Sequence, residues 1–426
     1  MKVLGIVVEY NPFHNGHIYH IEKSREATNC DAVVCVMSGN FIQRGEPAML
    51  NKAARAEIAL NCGADLVLEL PHPYAMSGAE SFAFGAVKLL EATGITDCIC
   101  FGSEHGDIDA LKYIADILAN EPEEYKIELK KQLSLGLAYP VCRQRALYNY
   151  LESENNKDNL PALSGLLETS NNILGIEYLK ALKRLDSSIR PFTIARVSNS
   201  YNTTELTGPV SSATAIRNSI KAGIENSVSS GLGEASALTV PPYSRMVIER
   251  EFSAGRGPNG LKQFENIILG LLRCMRPEKL RELPDISEGL EYRLKNAGEI
   301  SGTIEELIRN ICTRRYAQTR IQRILFSLVT GLTKSDTELF MQYGGPQYAR
   351  ILGFNPTGRI LLSKMKKNSS LPLITKAADF KSSCNRLLVR MLELEARSTD
   401  MYVLGYKNPA FRKAGQEFTQ NVVVIK

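Results

Sequence analysis

The 426-residue sequence has no apolar run that approaches the ~20 residues a membrane-crossing helix requires. Its first residues lack the basic, apolar and small-residue succession of a secretory leader, because Glu9 and Asn11 interrupt the apolar start. Nine cysteines form no C-x-x-C pair, and their number is odd. That excludes a disulfide framework and predicts reduced thiols in a cytoplasmic protein with no membrane contact. Cys98 and Cys100 alternate along an apolar stretch, where small buried side chains are expected. There is no internal repeat and no sustained heptad, so neither a solenoid nor a coiled coil is predicted. Histidine is scarce at five residues, yet His14, His17 and His20 fall within seven positions, and His72 and His105 lie in the first quarter.

The net charge of +5 hides an asymmetry. Residues 301–426 carry 20 Lys+Arg against 9 Asp+Glu, and the remainder carries 31 against 37. A basic C-terminal part on an acidic N-terminal part predicts a polyanion held by one half. The length suits two or three domains.

The first hundred residues alternate apolar runs with helical spacing. Val3–Val8, Asp31–Met37, Ala64–Pro71 and Asp97–Phe101 read as strands, and Lys52–Cys62 and Glu80–Glu91 as helices. Continuous apolar strands between helices predict a parallel sheet covered on both faces, with ligands beyond the strands' carboxyl ends. That edge would gather His14, His17, Ser38-Gly39-Asn40 and Gly102-Ser103-Glu104. Residues 109–150 read as helices, 151–160 as a loop, Asn171–Leu185 as a helix capped by Ser170, and Phe192–Val197 as a fifth strand. Gly, Ser and Pro crowd 222–242, which predicts a division into residues 1–225 and 240–426. From about 263 onward the pattern is helical, with no strand array.

The chemistry concentrates in Glu9-Tyr10-Asn11-Pro12-Phe13-His14-Asn15-Gly16-His17, directly after the first strand. Gly16 admits close backbone approach, and a helix beginning there offers free N–H groups to an anion. The two imidazoles add donors for phosphate oxygens, where charge builds during attack on an α-phosphorus. Structural histidines and a metal site with His20 are the competing readings. A spacing of three drifts about 60° per step around a helix, which suits one tetrahedral ion poorly, so no metal ligand is assigned. Lys52 and Arg55, three apart on one helix face, are further phosphate candidates beside a solvated-surface reading. After Thr303-x-x-Glu306, a capping box, Arg309, Tyr316, Arg320 and Arg323 fall within about 60° on one continuous helix, a face suited to a phosphate backbone.

His-x-Gly-His after a first strand resembles the nucleotidyltransferase superfamily. The longer string resembles the bacterial tRNA(Met) cytidine acetate ligases within it. The resemblance extends through 37–48, Ser170-Asn171-Asn172-Ile173-Leu174-Gly175, Ser211-Ser212-Ala213-Thr214-Ala215-Ile216-Arg217 and Tyr348–Asn355. It implies a Rossmann-like α/β nucleotidyltransferase domain with a parallel sheet, followed by a mainly helical tRNA-binding domain. It implies ATP as a substrate with Mg2+, no tightly bound cofactor, and catalytic His14 and His17. ATP would be bound by Val7, Val8, Glu9, Tyr10, Asn11, Pro12, Phe13, His14, Asn15, Gly16, His17, Ile18, Tyr19 and His20. Gly102, Asn171, Asn172 and Arg196 would complete that site. Acetate and elongator tRNA(Met) would be the partners, not DNA, with Arg309, Arg320 and Arg323 on the tRNA. The implied activity converts acetate and ATP to acetyl-adenylate and acetylates the wobble cytidine at N4. In the superfamily's second signature, Ala213 stands where a serine is usual. Two other classes remain open: a small-molecule adenylyltransferase, and a non-catalytic RNA-binding protein with a relict nucleotide site.

Overall fold

A computed structural model describes residues 1–153, 163, 165–196, 211–225, 232–287, 289–381 and 383–426. Of the loop expected at 151–160, residues 151–153 instead end the Tyr139–Ser153 helix, and 154–160, like much of the glycine-rich link at 226–231, lie outside these residues. Ten strands occur among them: β1 Val3–Val8, β2 Ala32–Ser38, β3 Phe41–Ile42, β4 Glu46–Pro47, β5 Leu66–Leu70, β6 Cys98–Ser103, β7 Arg190–Ala195, β8 Ala349–Phe354, β9 Leu373–Ile374 and β10 Val423–Val424. The main sheet runs β10-β8-β5-β2-β1-β6-β7, with β9 on β8, and β3 and β4 form a small hairpin.

Strands β5, β2, β1, β6 and β7 are mutually parallel, as the alternating pattern predicts. Alternation along β2 explains the two covered faces. Ala32, Val34 and Val36 point into one core, and Val33, Cys35 and Met37 into the other. The first core lies against the Ala79–Ala92 and Ser170–Arg184 helices, and the second against Lys52–Asn61 and Pro242–Ser253.

The C-terminal part is not helical throughout, contrary to the pattern read from 263 onward. β8 pairs antiparallel with β5, and β10 and β9 run parallel to β8. The sheet is therefore mixed. A third core, built from Phe264, Ile268, Leu325 and Phe326 with Phe41 and Met76, belongs to the helical region and reaches back to the first hundred residues. The single helix expected after Thr303 is two. Thr303 caps Ile304–Ile311, residues 312–317 turn, and Gln318–Thr330 follows. Arg309 and Arg320 consequently do not share one stripe.

Lys52 and Arg55 are both buried and meet no solvent. Lys52 Nζ lies 2.6 Å from Glu69 Oε1, 2.6 Å from Glu417 Oε2 and 3.3 Å from Glu395 Oε1. Arg350 reaches Glu417 at 2.9 Å and Glu69 at 3.4 Å. Burial, and then the neighbouring Glu395, push Glu69 well above the usual carboxylate range. Of the carboxylates around Lys52, Glu69 is thus the one whose charge burial opposes most, and Lys52 and Arg350 both face it. Arg55 donates to the carbonyls of Glu9, Ser38, Gly39 and Leu50, which explains its burial. The phosphate role weighed for both residues is thereby corrected. Lys52→Met should destabilise the fold by about 3–5 kcal/mol, because it strands buried carboxylates. Urea denaturation checks this; unchanged stability with lost nucleotide affinity would return Lys52 to a ligand role.

Candidate active site

β1 ends in a turn in which Tyr10 holds φ at 51°, a left-handed conformation rare for a bulky residue. Its ring is buried against Phe13 at 4.6 Å, and its hydroxyl meets Cys35 Sγ at 3.6 Å. The strained turn aims the following chain across the carboxyl edge of the sheet. There His14 caps the Asn15–Thr28 helix. Gly16 N–H donates to His14 Nδ1 at 3.1 Å, and His14 N–H donates to His17 Nδ1 at 3.2 Å. This is a reciprocal capping box built from two imidazoles. Each Nδ1 accepts, so each neutral ring carries its proton on Nε2. The rings stack with centroids 3.8 Å apart. The cap thus turns two histidines into paired N–H donors beside a helix N-terminus.

Both rings line a cavity of about 280 Å³, together with Glu9, Gly102, Asn171, Arg196 and Arg217. Burial, then Arg196 and Arg217, hold His14 down to about 3. Burial and then Arg196 hold His20 down to about 4. His17 is also held well below the usual imidazole range, by burial and then by its two histidine neighbours and Arg196. Arg196 bears on all three imidazoles, and Arg217 on His14 as well. Such a cavity presents N–H donors and guanidinium groups to a polyanion.

Gly102 lets Arg196 cross the edge of β6, since a Cβ there would approach Arg196 Cγ to 3.1 Å. Arg196 Nη1 lies 3.4 Å from Asn171 Oδ1, and Asn171 Nδ2 donates to Glu104 Oε1 at 2.6 Å. Arg217 Nη1 donates to the Asn11 carbonyl at 2.8 Å, and Thr214 stands 3.3 Å from Nη2. Among the described residues, Asn11 Nδ2 and His20 Nε2 are buried without hydrogen-bond partners. Both belong to residues that line the cavity.

The HIGH Nucleotidyl Transferase family matches residues 1–417. Over its full length the chain is 54% identical to the tRNA(Met) cytidine acetate ligase of Acetivibrio thermocellus, covering 100% of both chains. The chain belongs to the tRNA(Met) cytidine acetate ligase family. It is also 46% identical to the Caldanaerobacter subterraneus ligase, over 97% of this chain and 98% of that one. Crystal structures of Thermotoga maritima TmcAL superpose over 100% of both chains. The apo form has a TM-score of 0.93 at 37% identity, and the form bound with alpha-thio ATP has 0.91 at 36%.

The structure sorts the residues expected of this ligase family's nucleotide site. Val7, Val8, Tyr10, Asn11, Gly16, Tyr19 and His20 line the cavity beside the residues already named. Pro12, Phe13, Asn15 and Ile18 do not. Phe13 is buried beside Tyr10 and His17, Asn15 is tied to Leu238 and Thr239, and Ile18 packs on the second core. Asn171 lines the cavity, whereas Asn172 is buried and its Oδ1 accepts from Glu104 and His105 N–H. Thr169, not Ser170, precedes that helix as its cap. Ser38-Gly39-Asn40 does not join the site. The Ser38 and Gly39 carbonyls serve Arg55, and Asn40 binds Thr399 and the Lys52 N–H.

Sequence reasoning missed Arg44, Arg217 and Tyr178 as lining residues, though each lay within or beside a stretch that carries the resemblance. Arg320 and Arg323 are largely spent elsewhere. Arg320 Nη2 donates to the Asp285 carbonyl at 2.7 Å and Ser287 Oγ at 3.0 Å. Arg323 is mostly buried, 3.5 Å from Asp285 and 3.4 Å from the Gln43 carbonyl. Arg309 is exposed, as are Arg314 and Arg315 in the intervening turn.

His17→Ala removes a donor and half of the cap. Acetate-dependent ATP–pyrophosphate exchange should fall roughly 100–1,000-fold, with about 1 kcal/mol lost in a thermal melt. The imidazoles also set an acid limit. Unfolded histidine binds a proton near 6.5, whereas folded His14 and His20 do so near 3 and 4. Their contribution to stability is complete above pH ~6.5 and is lost as pH falls toward those values. The melting temperature of the ligand-free protein should therefore fall between pH 7 and 5, less steeply in His20→Gln.

Proposed function

We propose that this chain activates acetate with ATP and acetylates the wobble cytidine of elongator tRNA(Met) at N4. The carrying observation is the pair of Nε2–H donors, His14 and His17, in one pocket with Arg196 and Arg217. In the first step an acetate oxygen attacks the α-phosphorus and pyrophosphate leaves. Negative charge grows on the phosphate oxygens, where fixed donors need no reorganisation. In the second step the cytidine amine attacks the acetyl carbonyl and AMP leaves. That amine is conjugated with its ring, so a mixed anhydride is a suitable donor. No enzyme nucleophile is needed when the substrates are held in place.

Gly102, Asn171 and Arg196 suit the nucleoside side, and Arg217 with the 211–214 segment suits phosphate. Glu9 is the one carboxylate among the described lining residues, and its Oε1 already accepts the Gln43 N–H at 2.7 Å. The pocket therefore does not fit a protein-held Mg2+, and no step is assigned to one. No helix among the described residues is long and apolar enough to cross a membrane, which accords with a cytoplasmic enzyme acting on tRNA.

The tRNA surface proposed here centres on Arg309 with Arg314 and Arg315, while Arg320 and Arg323 brace the 285–287 loop. Incubation with ATP, labelled acetate and total tRNA should yield labelled N4-acetylcytidine in tRNA(Met). Exchange driven by a phosphorylated acceptor, with none driven by acetate, would reject the reading. Arg309→Ala with Arg314→Ala should weaken tRNA binding and lower its salt slope by roughly 0.7–0.9 per lost phosphate contact. Acetyl-adenylate formation should persist, whereas a joint loss of both activities would mean that the surface is structural.

A further inference from the structure

Resting on the ligase reading, we propose that Glu9 is the catalytic base of the second step, taking the proton that the cytidine amine loses. In that step an N4–carbon bond forms and the bond from the acyl carbon to the phosphate oxygen breaks. AMP departs with the electron pair, and one N4 proton must pass to an acceptor. The first step, in contrast, moves no proton, because acetate attacks as its anion. A base is therefore needed by the transfer half-reaction alone.

The pocket holds few groups able to accept. His14 and His17 use Nδ1 in the reciprocal cap and carry their protons on Nε2, so they donate into the pocket. Burial and Arg196 hold His20 down to about 4, so it is a weaker base than Glu9, whose carboxyl is raised above its ordinary value. Arginines do not accept protons. Glu9 remains, at the end of β1 beside the phosphate-facing turn.

Its geometry suits the task. The Gln43 N–H fixes Oε1 at 2.7 Å, while Oε2 carries no hydrogen bond among the described residues. Arg44 on the hairpin, Arg55 on Lys52–Asn61 and Arg217 on Ala213–Glu225 surround it, and Tyr178 faces it from Ser170–Arg184. Burial outweighs these cations and raises the carboxyl above its ordinary value, toward the range in which a base works near neutrality. The fixing residue has a second bond. The Gln43 carbonyl faces Arg323 Nη1 at 3.4 Å, and Arg323 lies on the Gln318–Thr330 helix of the basic region. The carboxylate is thus positioned from the side on which tRNA is proposed to arrive.

Single-turnover transfer from preformed acetyl-adenylate to tRNA(Met) isolates the second step. ATP–pyrophosphate exchange with acetate reports the first. In Glu9→Gln, transfer should fall about 100-fold or more beyond any change in exchange. Glu9→Asp, which keeps a carboxylate, should recover part of the loss. The wild-type transfer rate should climb with pH through an acidic limb that exchange lacks, and Glu9→Gln should lose that limb. Equal losses in exchange and transfer would overturn the proposal and make Glu9 a substrate-binding group. Unchanged transfer, or a wild-type profile without the limb, would assign the proton to the departing phosphate. The wild-type profile decides even where the variants fail to fold. Wild-type protein without acetate-dependent exchange would instead reject the ligase reading.

Discussion

The contact between Lys52 and three glutamates fastens the two parts of the chain together. Lys52 belongs to the helix after the β3–β4 hairpin, Glu69 to β5, Glu395 to the Arg386–Val403 helix and Glu417 to the C-terminal end. None of these charges reaches water, so each holds its place only while the others do. Glu395 also accepts the His72 N–H at 2.8 Å, immediately after β5. The sheet edge that carries the pocket is therefore set from both ends of the sequence. Such a cluster adds little net stability but makes alternative packings costly.

The same economy of charge governs the pocket. Three imidazoles beside two arginines would repel one another if protonated. Burial and the arginines hold all three pKa values down, and the capping bonds fix which nitrogen of His14 and His17 carries the proton. A neutral donor costs less to hold in a dry cavity than a cation and still meets a developing negative charge. The arginines supply the long-range attraction for a triphosphate. Tyr10, strained at φ 51° and packed on Phe13 and His17, keeps this arrangement rigid.

Much of this was legible from residue order. The run Val3–Val8 followed by His14-x-Gly16-His17 announced both the strand and the anion site, because strand period, glycine and helix start are local signals. Asn171 and Arg196 were legible only by resemblance, since nothing local tells a capping asparagine from a ligand. Lys52 misled because helical spacing cannot reveal that Glu395 and Glu417, over three hundred positions away, enclose it, and Arg55 because nothing local shows that the Glu9, Ser38 and Gly39 carbonyls converge on it. The stretch Ala349–Phe354 was legible as a family match but not as a strand, since its partner β5 lies about 285 positions away. The break at 312–317 escaped notice for a different reason. It contains neither proline nor glycine, and Tyr316 kept the helical phase across it.

The antiparallel pairing of β8 with β5 carries a consequence for synthesis. β5 is wholly buried in the finished protein, and β8 covers one of its edges. On the ribosome, Val67 emerges roughly 280 residues before Gly353, its partner. At about 5–20 residues per second that interval is on the order of 15–60 s. Throughout it, the nascent N-terminal sheet presents an open apolar strand edge, a template for pairing with other chains. Here Glu69, in the middle of that strand, has a second use. Before Lys52 and Arg350 enclose it, an ionisable side chain on an exposed edge discourages edge-to-edge association. The residue that later anchors the closed fold thus guards the unfinished one.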